Sequence, residues 1–287
     1  MSVPWHIRWL NLEDGLWEQT KGEGARVALL DSGVADISVL DHDKLRRLTH
    51  EGEPARARDR SANGHGTAVA GIVSARHRRT PGIAPEADCL CVDVYGVDGR
   101  PSDYRAAEAM KFVAQSGEVD LVCCTFTFRR VSDELSEGLA ALREANIPVL
   151  IASGNRRRET SAFPEELEGV TTVGAMTSSK RMLSNSRFGD WTTVAAPGMR
   201  IATWRTSGSV DRQFTGTSAA APVLTGVCAL LLSQARSLGG DAAVDAVRDQ
   251  LHQLIVDSSE TKRRDVPFLD VEALTKATLN LAKASQA

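Results

Sequence analysis

The chain has 287 residues, with 42% hydrophobic side chains and 34 Lys and Arg against 37 Asp and Glu. That length supports a large core and, at about 150 residues per domain, either two domains or one large α/β unit. The net charge of −3 offers no basic excess for nucleic acid, and the composition excludes disordered, collagen-like and coiled-coil chains. In chain order, Arg26-Val-Ala-Leu-Leu30 is a short apolar run stopped by Asp31-Ser-Gly33, which predicts a buried strand ending in a turn. Four more such runs follow, at Cys89 to Val94, Val119 to Phe126, Ile147 to Ala152 and Val170 to Gly174. Helical spacing fills the gaps. Ser102 to Gln115 repeats apolar residues at Ala106, Ala109, Met110 and Val113, and Ser132 to Ala145 does so at Leu135, Leu139 and Leu142, with Ser102 and Ser132 as N-caps. Further helices are predicted for Ser218 to Gln234, apolar nearly all round, for Asp241 to Ile255 and for Val271 to Lys283. Strands alternating with helices predict an α/β fold, a mostly parallel sheet with helices on both faces, and ligands at the carboxyl ends of its strands.

No boundary splits the chain, so a single domain over 1–287 is expected. The first residues lack the charged start and apolar stretch of a signal peptide, and the longest nearly apolar run, Ala219 to Leu232, is broken by Pro222, Thr225 and Gly226, so neither secretion nor a membrane partner is expected. Five cysteines, all in apolar segments, read as small buried hydrophobes. Strand alternation points Cys123 and Cys124 to opposite faces, and Cys89-Leu-Cys91 lacks the spacing of a zinc knuckle. A reducing, cytoplasmic location follows as an expectation.

Three segments place a reactive side chain beside glycine: Leu30-Asp31-Ser32-Gly33, Asn63-Gly64-His65-Gly66-Thr67 and Gly216-Thr217-Ser218-Ala219. A serine hydroxyl is a weak nucleophile until a histidine accepts its proton and a carboxylate holds that imidazole in the right tautomer. Each segment alone reads equally as a turn or a helix cap. Together they resemble the subtilisin-like serine proteases, or subtilases, over nearly the whole chain. Val27-Ala-Leu-Leu-Asp31-Ser-Gly33, His65-Gly-Thr-Ala-Val-Ala-Gly71 and Gly216-Thr-Ser218-Ala-Ala-Ala-Pro222 are similar to the aspartate, histidine and serine motifs, and Ala152-Ser153-Gly154-Asn155 and Ala195-Ala-Pro-Gly198 resemble two further family segments.

The resemblance implies a subtilisin-like three-layer fold and a serine endopeptidase. Ser218 would be the nucleophile, His65 the general base and acid, Asp31 the orienting carboxylate and Asn155 a donor to the oxyanion. It implies that substrate lies as an added strand between the turn carrying Gly99 and Arg100 and the segment Thr125-Phe126-Thr127, with Ala152, Ser153, Gly154 and Arg156 around the primary specificity pocket. Departures from the family pattern bear on specificity. Arg100 and Pro101 replace small residues. Thr127 and Phe128 stand where relatives carry glycines, which implies either a narrowed pocket or a repacked edge. The resemblance also implies that Arg156, followed by Arg157 and Arg158 and with Arg129-Arg130 just past the opposite substrate-binding segment, would pair with an acidic residue at or near the amino side of the scissile bond; if the triplet is open to solvent, size selection governs instead. The loop Ser74 to Thr80 is cationic where calcium sites need carboxylates, so no metal and no cofactor is expected. The expected partner is a protein or peptide substrate, cut with restricted specificity as in precursor processing. Oligomeric state is left open, and a peptide-binding pseudoenzyme on the same fold is the alternative.

Overall fold

The apolar runs form the strands of one large sheet in the computed structural model, which describes residues 3–40, 42–128, 130–155, 167, 169–262 and 266–285. In chain order the elements are α1 (Trp5–Trp9), β1 (Arg26–Asp31), β2 (Leu45–Thr49), α2 (His65–Ser74), β3 (Asp88–Asp93), α3 (Asp103–Ser116), β4 (Leu121–Cys124), α4 (Asp133–Glu144), β5 (Val149–Ala152), β6 (Thr171–Met176), β7 (Val194–Pro197), β8 (Ile201–Trp204), β9 (Val210–Phe214), α5 (Thr217–Asp257), β10 (Glu260–Lys262), β11 (Val266–Phe268) and α6 (Val271–Ala284). The sheet order is β10-β11-β7-β6-β5-β4-β1-β3-β2; every neighbouring pair is parallel except β10 with β11, and β8 and β9 form a separate antiparallel hairpin.

Alternation along the central strands sorts their side chains into two layers. Val27, Leu29, Cys89, Cys91, Cys123, Leu150 and Ala152 pack into the core under α2 and α5. Ala28, Leu30, Leu90, Val92, Cys124, Val149 and Ile151 face the other core, under α3 and α4. The opposite orientation of Cys123 and Cys124 is therefore observed. Asp31 continues the odd-numbered series of β1, so its carboxylate leaves the sheet on the side of α2 and α5.

The caps match the sequence: the Ser102 and Ser132 hydroxyls accept from the N–H groups of Arg105 and Leu135. The two predicted helices at 218–234 and 241–255 run on in one element, α5, broken at Gly239 and Gly240, whose dihedrals are not helical. Its apolar part is long enough to cross a bilayer by length and composition, but it is wholly buried inside the protein. Both layers cover β1, β4 and β5, whose carboxyl ends place Asp31, Thr125 and Asn155 along one rim.

Candidate active site

Asp31 ends β1 with only 3% of its surface exposed. Its carboxylate accepts from His65 Nδ1 at 2.9 and 3.0 Å, from the Ser32 N–H at 2.7 Å and from the Thr125 hydroxyl. Burial alone would push the Asp31 carboxyl up, but the charge of His65 and these hydrogen bonds outweigh it and hold the group below the ordinary carboxylate range. His65 shows the mirror image. Burial would lower the imidazole, yet the Asp31 charge and hydrogen bond, with Asp59 adding to them, hold it above its ordinary value. With Nδ1–H committed to Asp31, Nε2 is the ring nitrogen left to accept a proton.

His65 is the first residue of α2, and the three N–H groups that open this helix are met from outside it: His65 by Ser61 Oγ at 2.6 Å, Gly66 by Ser32 Oγ at 2.9 Å and Thr67 by Asp59 Oδ2 at 2.8 Å. Glycine is required at position 66 because a Cβ there would lie 2.3 Å from the Gly33 carbonyl oxygen. The β8–β9 hairpin closes over the ring, with Phe214 edge-on to His65 at 5.6 Å between centroids.

Four residues after Phe214, Ser218 stands in the first turn of α5, 8% exposed. Its hydroxyl is in none of the described hydrogen bonds, so the structure joins Asp31 to His65 but does not show a His65–Ser218 bond. Asn155 is attached to the same turn. Its Oδ1 accepts from Thr217 N at 2.9 Å and from Thr217 Oγ1 at 3.3 Å, which leaves the Nδ2 end to donate elsewhere. Gly216 makes this approach possible: its φ is +138°, and a Cβ there would lie 2.8 Å from Asn155 Oδ1. Thr217 Oγ1 also accepts from Gly154 N at 3.1 Å, so Asn155 and Ser218 sit on one braced unit.

The expected substrate-binding residues divide. Thr125 is buried with its hydroxyl on Asp31, so only its backbone remains for substrate. Phe126 packs into the core under α3 and α4, where Phe128 joins it at 5.2 Å between ring centroids. Thr127 is exposed, and its Cγ2 lies 3.4 Å from the point where a Cβ on Gly154 would project. Ala152 and Ser153 are buried, with Ser153 Oγ donating to the Arg187 carbonyl at 2.6 Å. In the other segment, the N–H of Arg100 points to Asp98 Oδ1 at 3.2 Å and its carbonyl accepts from Gly96 N at 2.8 Å, while Gly99 supplies the turn at φ +71°. Arg156, Arg157, Arg158 and Arg129 lie outside the described residues. Sequence reasoning missed Asp59, Ser61, Thr217, Phe214 and Arg187. For Asp59 and Ser61 the signal was present, since both are helix-capping residue types just before the segment that becomes α2.

A model of the Subtilase family matches residues 22–278. The thermostable alkaline protease of Halalkalibacterium halodurans is 30% identical over 81% of this chain and 63% of its own length, and subtilisin BL of Lederbergia lenta is 28% identical over 80% of this chain and 84% of its own. This chain thus spans less than two thirds of the first of these relatives. Among solved structures, the protease domain of PatA superposes with a TM-score of 0.79 at 26% identity, covering 91% of this chain and 98% of that one. These relatives overturn the cytoplasmic expectation, because the subtilisins and alkaline proteases among them are secreted, extracellular enzymes. The cysteines that prompted it carry no information about compartment. All five are free and buried, and burial pushes the thiols of Cys89, Cys123 and Cys228 up to about 12, which fits core side chains rather than a disulfide framework.

Proposed function

The chain belongs to the subtilase family, and from that premise we propose that it is a serine endopeptidase that cleaves protein or peptide chains through an acyl-enzyme. The observation that carries this reading is the buried Asp31 carboxylate holding Nδ1 of His65 at 2.9 and 3.0 Å, which leaves Nε2 as the base. Ser218 Oγ attacks the scissile carbonyl while His65 Nε2 takes its proton, and Asp31 stabilises the imidazolium that forms. The negative charge developing on the carbonyl oxygen is met by Asn155 Nδ2 and by the Ser218 N–H at the start of α5, where the helix dipole adds to the effect. His65 then protonates the leaving amine, and water releases the acyl group by the same steps in reverse.

Specificity is restricted by size at the residue preceding the scissile bond. Support comes from Thr127, whose methyl group stands against Gly154 where relatives carry a glycine, so a large side chain finds less room between the two segments. On the family resemblance alone, Arg156 would add a preference for carboxylates near the same residue. Digestion of a peptide library tests both statements: cleavage after small residues, enriched for Asp and Glu nearby and lost in Ser218→Ala, is the expected outcome. Preferred cleavage after Phe or Lys contradicts the specificity, and activity retained by Ser218→Ala contradicts the mechanism.

A further inference from the structure

Asp59 is not part of the family motifs quoted above, yet five hydrogen bonds converge on its carboxylate. Oδ1 accepts from Ser32 Oγ at 2.7 Å, Ser61 N at 3.1 Å and Ser61 Oγ at 2.6 Å; Oδ2 accepts from Thr67 N at 2.8 Å and Thr67 Oγ1 at 2.7 Å. Every one of these donors touches the machinery. Ser32 follows Asp31 in the chain and its Oγ accepts from Gly66 N, Ser61 Oγ accepts from His65 N, and Thr67 lies in the first turn behind His65. Asp59 therefore ties the end of β1 to the start of α2, the two elements that carry the carboxylate and the imidazole.

Ser32 links the two carboxylates more directly. Its hydroxyl has one proton and lies 2.7 Å from Asp59 Oδ1 and 3.1 Å from Asp31 Oδ1, so the shorter contact gives the proton to Asp59. Asp31 keeps more of its negative charge for His65 while Asp59 is present to draw that proton away.

We propose that Asp59 is a positioning residue that fixes His65 against Asp31 and, through the shared Ser32 hydroxyl, sets how strongly Asp31 holds the His65 proton. This rests on the reading of Asp31, His65 and Ser218 given above. The other charged groups around His65 do not compete for the role. Arg60, next to Asp59, is bonded to Asp93 at the end of β3, and on the β8–β9 hairpin Arg205 pairs with Asp211 at 3.3 Å while Phe214 is uncharged; Thr125 after β4 and Ser218 on α5 carry no charge. Asp59 is also the carboxylate besides Asp31 whose field raises the His65 imidazole.

Asp59→Asn is nearly isosteric, but all five contacts are donors, so whichever end becomes the amide NH2 meets donors it cannot accept. Two consequences follow with the same sign: the field of Asp59 is lost, and the Ser32 proton turns to Asp31 and weakens its pull. Both lower the basicity of His65. Ser32→Ala acts in the opposite direction, because it removes the one hydroxyl proton, held mainly by Asp59 and shared only weakly with Asp31, and leaves the carboxylates more negative toward the ring.

The test is the rate of inactivation of the full chain by a fluorophosphonate as a function of pH, which requires no knowledge of the natural substrate. In Asp59→Asn the plateau rate should fall by about tenfold or more and the midpoint should move down by about half a pH unit. In Ser32→Ala the midpoint should move up. A purely structural role for Asp59 lowers the plateau without moving the midpoint, and that result, or a shift upward, overturns the proposal. Should Asp59→Asn fail to fold, Ser32→Ala decides: an unmoved or lowered midpoint overturns it. If the wild-type chain is not inactivated at all, the assignment of the site itself has failed, which is a different outcome from an inactivated chain whose midpoint ignores Asp59.

Discussion

Around Asp31 and His65 the hydrogen-bonding capacity is taken up by the protein itself, whereas around Ser218 and Asn155 it is held open. Asp31 accepts from His65, Ser32 and Thr125, and the N–H groups of residues 65 to 67 are all capped. The Ser218 hydroxyl has no bond among those described, and Asn155 is anchored by Oδ1 while its Nδ2 is in none of the described hydrogen bonds. The difference separates two tasks. Charge needed before substrate arrives must be stabilised by the fold, because a buried carboxylate without partners would protonate instead of orienting a base. Groups that meet the reacting carbonyl must keep a free valence for it, and their alignment is completed on binding.

If that contrast is right, the filled half should tolerate no change in its donor pattern. Asp31→Asn places an amide where acceptors are needed and favours the wrong tautomer of His65; kcat on a peptide substrate should fall by about 10⁴-fold with the fold intact. A loss under tenfold would mean the pairing is dispensable. In the open half, Asn155→Ala should lower kcat by about 10²–10³-fold with KM little changed, since the amide is used only once charge develops. A change confined to KM would make Asn155 a binding residue.

His6 sharpens the contrast from outside the site. It is as buried as Asp31, but among the described residues its Nδ1 has no hydrogen-bond partner and no carboxylate offsets its burial, which drops the imidazole to about 4. The unfolded chain takes up that proton near 6.5 and the folded chain near 4, so stability should be lost as pH falls through this window, by about 3 kcal/mol. Melting temperatures between pH 7 and 4 measure it, and His6→Leu should flatten the slope; an identical slope in the variant would place the acid sensitivity elsewhere. His65, raised rather than lowered, gives the smallest effect. Only its neutral form is a base, so the acid limb of kcat/KM should have its midpoint above 6.5, higher than an unperturbed histidine implies. The folding contribution of the same pair is present below 6.5 and fades as pH rises through the His65 value, while that of Asp31 fades as pH falls through its own lowered value.

The layered sheet and the capped helices α3 and α4 were legible because their signals are local: apolar runs, helical spacing and a serine at each start. Strand β2 was not, because Arg46 and Arg47 interrupt its apolar pattern, as suits an edge strand where Arg47 Nε donates to the Val34 carbonyl. The β8–β9 hairpin was missed because β9, Val-Asp-Arg-Gln-Phe, lies outside the main sheet and buries little. In the site, Asp31, His65, Ser218 and Asn155 were legible from their glycine-flanked motifs. Thr125 was read as a substrate contact, because nothing in its neighbours tells that its hydroxyl turns inward to Asp31. Asp59 was passed over, although it is a helix-capping residue type, because three of its five bonds come from Ser32 and Thr67, 27 and eight positions away, and only Ser61 is a near neighbour.

Fluorophosphonate labelling followed by mapping of the modified peptide tests the central claim most directly, because the reagent reacts far faster with a serine whose proton is being removed than with an ordinary hydroxyl. The account predicts one adduct, on Ser218, formed rapidly in the wild-type chain, slowed by several orders of magnitude in His65→Ala and absent in Ser218→Ala. No adduct, or an adduct on Ser218 forming at the same rate without His65, would contradict it.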